Sequence, residues 1–337
     1  MFEKLDAPKM QADIVDNWLY TEKVYISIIC TTYNQELYIR DAIDSFLAQE
    51  TEYKFEIVIH DDSSTDSTVE IIKEYQARFP EIVKPILQDK NQFSINVNLP
   101  FVNALKASCG EFVALCEGDD FWVERNKLQV QILELIENPD VNLCFHSALE
   151  FDGLNSKVMT RYGHDNKNIS IESIIEKRYG NIATASSFVR KSALDECSIF
   201  LKNRLWLSVG DIYIHLFSSM GAGAICINKP MSVYRKEAEG SWSKGITYKK
   251  RLSHINSRIR SYKELNHLTN YRYDNSFKIS NLDSIGGILV NKRVPINKRL
   301  EYLLNNRDLL TLNSKSLHYV LSSMVPYYLE CINYFKD

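Results

Sequence analysis

Apolar runs alternate with amphipathic segments over roughly the first 150 residues of the chain. Apolar residues at helical spacing separate the runs, and such alternation is typical of a mostly parallel sheet with helices on both faces. The runs rich in β-branched residues predict strands over residues 24–30, 55–60, 82–87, 111–116 and 141–148. The segments between them predict helices over residues 39–47, 67–79, 98–108 and 127–137.

The second of these helices opens on "STVE" at residues 67–70, which has the Ser-x-x-Glu form of a capping box. Asp66 or Ser67 is therefore the predicted N-cap.

Three polar clusters follow strands of the predicted sheet. They are "TTYN" at 31–34, "HDDSSTD" at 60–66 and "EGDD" at 117–120. In open α/β sheets, ligands bind outside the carboxyl ends of the strands, so these clusters predict one site at that edge. The first strand is not followed by G-x-G-x-x-G, and the chain contains no G-x-x-x-x-G-K-[ST], which argues against dinucleotide-binding and P-loop folds.

Glu117, Asp119 and Asp120 place three carboxylates within four residues, and like charges this close need a partner. Clustered carboxylate oxygens suit a hard cation such as Mg²⁺ or Mn²⁺, although an acidic turn in solvent has the same pattern.

Asp62, at the second strand tip, can accept the N–H of a pyrimidine base. "TTYN" offers hydroxyls and an aromatic face to the same base, and an ordinary turn remains the alternative for both segments.

Composition indicates a globular protein, with 45% hydrophobic and 25% charged residues in 337. The net charge of −3 is unevenly distributed. From Lys244 onward there are 16 Lys and Arg against 7 Asp and Glu, which gives +9 and leaves −12 for the rest.

Seven scattered Cys and a polar N-terminus predict reduced thiols in the cytosol. The most apolar long segment, 319–335, is broken by polar residues, so it predicts a buried helix or an interfacial contact rather than a membrane span.

Three segments together resemble the successive signatures of family 2 glycosyltransferases. They are "ISIICTTYNQELYIRDAIDSFLAQ", "FEIVIHDDSSTDST" and "GEFVALCEGDDFW". The resemblance covers roughly residues 24–245, and it is strongest to bacterial members that build capsule, O-antigen and other surface polysaccharides. It implies the Rossmann-like GT-A fold and an inverting transfer of a hexosyl or N-acetylhexosaminyl group from a UDP- or dTDP-sugar. The implied acceptor is a glycan or a polyprenyl-diphosphate-linked oligosaccharide.

By position in the family's motifs, Thr31, Tyr33 and Asp62 would hold the nucleotide base. Glu117 and Asp119 stand at the acidic positions of the D-x-D motif, which implies a Mn²⁺ or Mg²⁺ cofactor. Asp119 would be the direct metal ligand and would also contact the nucleotide, and Asp120 would support the metal or the donor sugar.

The family's general base is a carboxylate near the start of a later helix. Asp211 in "WLSVGDIYIHLF" stands at that position. The alternative for Asp211 is a plain N-cap of the helix that follows.

The segment "VYRKEAEGSWS" at 233–243 resembles the family's Tyr-Arg-x-His, Gly and Trp-Ser pattern. Arg235 and Trp242 fit that pattern, whereas Glu237 replaces the His. The resemblance implies that these three residues contact the diphosphate or form part of a closing loop. An ionised Glu237 could ligate a cation but could not donate a hydrogen bond to phosphate.

The predicted organisation is an N-terminal lead-in (1–23), a catalytic domain (24–245) and a basic helical region (246–337). The basic segment 248–265 is either a solvated helix face or a contact for anionic lipid or a lipid diphosphate, which would place the enzyme at the cytoplasmic face of the inner membrane. The acidic body argues against nucleic-acid binding, and homo-oligomerisation stays open.

Two alternative functions share features with this prediction. A sugar-nucleotide pyrophosphorylase should have a Gly-rich loop after the first strand, and "TTYNQE" contains no glycine. A non-catalytic carbohydrate-binding protein of the same fold would not need Asp62, Asp119 and Asp211 together.

Overall fold

The structure is a computed structural model, and it describes residues 2–159, 168–208, 210–239, 247–291 and 294–306. The chain divides into two compact units. The first comprises Met1–Ile174 with Arg178–Lys244, and the second comprises Ile175–Lys177 with Gly245–Asp337.

One mixed sheet forms the centre of the first unit, and all five predicted strands belong to it. Its strands within the described ranges are β1 (Ile26–Thr32), β2 (Phe55–Asp61), β3 (Val83–Leu87), β4 (Phe112–Leu115), β5 (Phe121–Trp122), β6 (Leu143–Phe151), β7 (Ser156–Val158), β8 (Asn168–Ile169), β9 (Phe188–Arg190) and β10 (Ala224–Arg235). Their order is β3-β2-β1-β4-β9-β6-β10-β5, with β7 paired to β6 and β8 to β10. The β3-β2-β1-β4 half is parallel, as is the long β6–β10 pair, whereas β9 and β5 run antiparallel to their neighbours.

Helices surround this sheet, and the four predicted helices are confirmed to within about two residues. The helices described before residue 220 are α1 (Ala12–Val15), α2 (Ile39–Leu47), α3 (Thr68–Arg78), α4 (Leu99–Ala107), α5 (Lys127–Glu137), α6 (Ile171–Ile175), α7 (Asp195–Lys202) and α8 (Asp211–Ser219). Short 3₁₀ turns cover Thr184–Ser186 and Lys191–Leu194.

The core lies between the sheet and α2, α3 and α5. All seven residues of β2 are buried, as a parallel strand covered on both faces requires. Phe46 of α2 is fully buried, and its ring lies 4.7 Å from that of Trp122. Truncating such a side chain to alanine costs about 3–5 kcal/mol, so the α2 contact makes a large contribution to stability.

The capping box predicted at Ser67 is wrong. Ser67 is the N-cap of α3, but its side chain makes no capping bond, and its own N–H donates to Glu36 at 2.9 Å. The Asp66 carboxylate accepts the Thr68 N–H at 3.0 Å instead. Asp66 thus does the capping because Ser67 lies near the helical region, where its hydroxyl cannot turn back over the first turn.

The second unit contains three helices among the residues described: α9 (Tyr248–Leu268), α10 (Asp274–Leu289) and α11 (Ile296–Asn305). One side of α9 is apolar and packs inward, since Ile259 and Tyr262 are buried and Leu252 and Ile255 are partly buried. Arg258 of the same helix donates to the Ser284 hydroxyl of α10 at 2.6 Å.

None of the helices in the described ranges combines the length and apolar character that a membrane crossing needs. The segment 319–335 lies outside the described residues.

Candidate functional site

Backbone hydrogen bonds bring the three polar clusters together at one edge of the sheet. Thr31 and Thr32 at the end of β1 lie in register with the end of β2. The Asp62 N–H donates to the Thr32 carbonyl at 3.0 Å, and the Gly118 N–H donates to the Thr31 carbonyl at 3.1 Å. The ends of β1, β2 and β4 therefore form a single polar rim.

Gly118 lets the acidic turn pass close to the end of β1. A Cβ atom at this position would lie 2.3 Å from Gln35 Oε1 and 2.9 Å from Thr32 Cβ, so a larger residue would displace the turn. The Thr32 hydroxyl donates to Gln35 Oε1 at 2.9 Å, and the Gln35 side chain also hydrogen-bonds Asp119. Sequence reasoning missed Gln35 because one amide after a strand has no distinctive pattern.

Glu117 and Asp119 lie half-buried in this rim, where their charges act on each other. Burial, together with the charges of Asp119 and Asp211, raises the pKa of Glu117 to about 8, against the opposing effect of a hydrogen bond from the Thr184 side chain. Burial likewise raises the pKa of Asp119, whereas the charge of Arg235 lowers it. Crowded carboxylates of this kind favour a bound cation.

Asp120 points into the protein instead of into the rim. It is 1% exposed, and its Oδ1 accepts the Arg235 N–H at 2.9 Å. Burial and the charges of Asp119 and Glu117 hold its pKa well above the ordinary value. Across the described ranges, no three His, Cys, Asp or Glu side chains group into a metal cage. Glu117, Asp119 and Asp120 are thus not gathered into a three-carboxylate cage, and their role as metal ligands stays a prediction.

Arg235 holds the acidic turn in place. Its guanidinium donates to the Asp119 carbonyl at 2.6 Å, pairs with Asp41 and lies 4.4 Å from the centre of the Phe121 ring. Arg235 is only 8% exposed, so its positive charge is already engaged by these contacts. The sequence pattern assigned this residue to the diphosphate or the closing loop.

The two other residues predicted for the closing loop lie beyond β10. Glu237 is exposed in a turn, with φ at +56°, a conformation uncommon for residues other than glycine. Trp242 lies outside the described residues.

The predicted base contacts stand at the expected strand ends. Tyr33 is 43% exposed and Thr31 is half-buried. Asp62 is only 2% exposed, and its two oxygens accept the N–H groups of Gln92 and Phe93 at 2.7 and 2.9 Å. Asp62 thus anchors the segment after β3, a role that the sequence pattern did not indicate.

Asp211 is the first residue of α8, and its charge reaches the acidic turn. The N-cap is Gly210, so the plain N-cap predicted as the alternative for Asp211 is not observed. Asp211 Oδ1 accepts the N–H of Ile212 at 2.8 Å, and the residue is partly exposed. The structure thus places a partly exposed carboxylate at the start of α8, where its charge acts on Glu117.

Thr184 is a second residue that sequence reasoning missed. Its 3₁₀ turn is fixed by two buried side chains: Trp122 Nε1 donates to the Ala185 carbonyl at 2.9 Å, and Gln131 Nε2 donates to the Ser186 carbonyl at 2.9 Å. These bonds hold the Thr184 side chain where it hydrogen-bonds Glu117.

Lys127 contacts Gln131 and Trp122, the two side chains that fix the Thr184 turn. It is fully buried, its Nζ donates to Gln131 Oε1 at 2.7 Å, and it lies 3.9 Å from the centre of the Trp122 ring. Burial lowers the pKa of this lysine to about 7.

Comparison with known sequences identifies related proteins. The profile of the family described as glycosyl transferase family 2 matches residues 27–197. An uncharacterized protein of Mycobacterium tuberculosis is 35% identical over 225 residues, which are 66% of this chain and 62% of that protein. The chain thus spans about 62% of the length of its mycobacterial relatives. An uncharacterized glycosyltransferase of Nostoc is 38% identical over 128 residues, which are 38% of each protein.

Solved structures share the fold at low sequence identity. Staphylococcus aureus TarS 1–349, in complex with UDP-GlcNAc, aligns with a TM-score of 0.54 and 18% identity over 91% of this chain and 92% of that one. The mannosyltransferase PcManGT from Pyrobaculum calidifontis, in complex with GDP-Man and Mn²⁺, aligns with a TM-score of 0.51 and 13% identity over 97% and 91%. These similarities confirm the predicted GT-A architecture.

Proposed function

Because the chain belongs to glycosyl transferase family 2, we propose that it transfers a sugar from a nucleoside-diphosphate sugar to an acceptor hydroxyl with inversion. The observation that carries this proposal is that Glu117 and Asp119 follow β4 at the polar rim and that the charge of Asp211, at the start of α8, acts on Glu117. Family membership also argues against the pyrophosphorylase alternative.

The donor diphosphate would lie at the acidic turn. Cations such as Mg²⁺ are usually held by one or two carboxylates together with substrate phosphates, and Glu117 and Asp119 supply that number even though Asp120 does not join them. A bound Mn²⁺ or Mg²⁺ would neutralise the negative charge of the departing diphosphate. Gln35 and Arg235 would keep Asp119 oriented, the first by its side chain and the second by its bond to the Asp119 carbonyl.

The nucleotide base would lie against Tyr33, Thr31 and Asp62. A carboxylate can accept about four hydrogen bonds, and the Asp62 side chain uses two of them on Gln92 and Phe93. The remaining lone pairs suit the N3–H of uracil or thymine, which supports a UDP- or dTDP-linked donor. The bound UDP-GlcNAc of TarS is in line with this choice, whereas the GDP-Man of PcManGT shows that the fold also accepts a purine.

Asp211 would act on the acceptor. Its carboxylate takes the proton of the acceptor hydroxyl as that oxygen bonds to the anomeric carbon, while the bond from this carbon to the diphosphate oxygen breaks. The nucleoside diphosphate leaves with the electron pair of the broken bond, on the face opposite the attack. The sugar is transferred with inverted configuration.

The experiment that tests this proposal is an assay of nucleotide release from a panel of UDP-, dTDP- and GDP-sugars with Mn²⁺. Release that depends on an added glycan or lipid-linked oligosaccharide is the expected result. Binding of sugar nucleotides or glycans without turnover for any pairing would instead identify a non-catalytic carbohydrate-binding protein.

The acceptor is proposed to be a precursor of a bacterial surface polysaccharide, such as a polyprenyl-diphosphate-linked oligosaccharide. The basic helix α9 supports a peripheral contact with an anionic membrane face, since Lys249, Arg260 and Lys263 are exposed on one side of it. Stronger co-sedimentation with anionic than with neutral liposomes is expected for the full chain. Equal sedimentation, or none, would reject the membrane contact.

A further inference from the structure

The segment from Asn91 to Asn98, between β3 and α4, connects the base-binding side of the site to the helix that bears Asp211. At its beginning, the backbone N–H groups of Gln92 and Phe93 donate to the Asp62 carboxylate at 2.7 and 2.9 Å. This end of the segment is therefore fixed to the tip of β2.

At its other end, two buried asparagines reach the chain that leads into α8. Asn96 Nδ2 donates to the carbonyls of Leu201 and Lys202 at 3.1 and 3.3 Å, and Asn98 Nδ2 donates to the carbonyl of Ser208 at 3.3 Å. The two asparagines are 2% and 3% exposed, and the Asn98 N–H donates to Asn96 Oδ1 at 3.0 Å. Buried amides that satisfy backbone carbonyls in this way hold a connection in one conformation.

Gly210 shows how closely Asn98 approaches the start of α8. A Cβ atom on Gly210 would lie 2.4 Å from Asn98 Oδ1, well inside contact distance. Gly210 is the N-cap of α8 and directly precedes Asp211. The Asn98 side chain thus sets how near the first turn of α8 can come to the base-binding side.

We infer that Asn98 is a positioning residue for Asp211: it fixes the N-terminus of α8 and so the distance of the proposed base from the donor. The inference rests on the proposed function. A misplacement of about 1 Å at a reacting group can cost roughly a hundredfold in rate, so the position of this helix end matters for turnover more than for nucleotide affinity.

The test uses Asn98→Ala, Gly210→Ala and the double variant, each assayed for turnover and for UDP affinity by calorimetry. Each single variant should lose about ten- to a hundredfold in kcat while its Kd for UDP stays within about twofold of wild type. The double variant should recover part of the loss seen in Gly210→Ala, because removing the Asn98 side chain makes room for the new methyl group. This rescue would show that the effects of the two substitutions arise at the contact between positions 98 and 210, and the unchanged Kd for UDP separates a loss of positioning from damage to the nucleotide site.

Two matched controls accompany these variants. Asn138→Ala removes a side-chain amide that donates to the Glu134 carbonyl at 2.8 Å, and Gly287→Ala adds a methyl group that projects into open space. Both should keep wild-type turnover.

Wild-type kcat in Asn98→Ala, a double variant no better than Gly210→Ala, or equal losses in kcat and UDP affinity would each overturn the inference. Asp211→Asn separates this failure from that of the proposed function. If Asp211→Asn retains full turnover, the assignment of the base is wrong; if it loses turnover while Asn98→Ala does not, only the positioning role is wrong.

Discussion

The charge of Asp211, at the start of α8, reaches the carboxyl group of Glu117, at the end of β4, and raises the pKa of Glu117. The two residues come from distant parts of the sequence, and the fold brings them close enough for their charges to interact. Glu117 and its neighbour Asp119 stand where a donor diphosphate would bind, whereas Asp211 stands half-exposed at a helix start. This arrangement separates a group that serves the leaving diphosphate from one that serves the acceptor.

Replacing Asp119 by Asn should weaken metal-dependent donor binding. The amide keeps the size of the side chain but removes the negative charge that attracts the cation, so both UDP affinity in Mn²⁺ and turnover should fall, turnover by at least about a hundredfold. Calorimetry with and without EDTA, together with the transfer assay, measures both effects. Asp140→Asn, at an exposed acid three residues after α5, is the control. Full wild-type turnover in EDTA would reject the metal role.

The base contact at Asp62 predicts selectivity among nucleotides. Wild-type protein should bind UDP more tightly than GDP, because the free lone pairs of Asp62 suit a pyrimidine N3–H. Asp62→Asn should reduce this preference by about tenfold, which corresponds to a hydrogen bond of about 1.4 kcal/mol. Calorimetric titrations of both nucleotides test the assignment, and tighter binding of GDP by the wild-type protein would refute it.

Lys127 predicts a pH dependence of stability. Burial lowers its pKa to about 7 from an ordinary value of 10.5. Between these values the unfolded chain binds a proton that the folded chain does not, so this lysine makes the free energy of unfolding rise with pH. From about pH 7 to about pH 8.5, wild type should gain about 1–2 kcal/mol relative to Lys127→Met, as measured by urea unfolding. The exposed Lys106→Met serves as the control, and parallel pH profiles of wild type and Lys127→Met would contradict the prediction.

Much of the fold could be predicted from the sequence because the parallel half of the sheet leaves a simple pattern. The runs around Ile28 and Ile57 are apolar on both faces, and the helices between them carry regular apolar stripes. The antiparallel strand β9 was not predicted, since three residues at Phe188–Arg190 give no periodicity. Its position between β4 and β6 depends on tertiary pairing alone.

The site could be predicted only in part, for a related reason. Residue type and strand position identified Glu117 and Asp119, but the sequence could not show which way each side chain of the turn points. Asp120 therefore received a ligand role although it bonds the Arg235 backbone. Thr184 and Gln35 were missed, because hydroxyl and amide side chains are common in turns and become informative only once their partners are known.

The most direct test of the account compares turnover and nucleotide affinity in Asp211→Asn. The amide keeps the size of the side chain and an oxygen that can accept the Ile212 N–H, but it cannot take a proton from the acceptor. Turnover should fall about 10²- to 10⁴-fold while the Kd for UDP in Mn²⁺ stays near the wild-type value. Asp195→Asn, the first residue of α7, should leave both unchanged. Transfer at the wild-type rate by Asp211→Asn would contradict the account, and Glu237 would then be the next carboxylate to examine as the base.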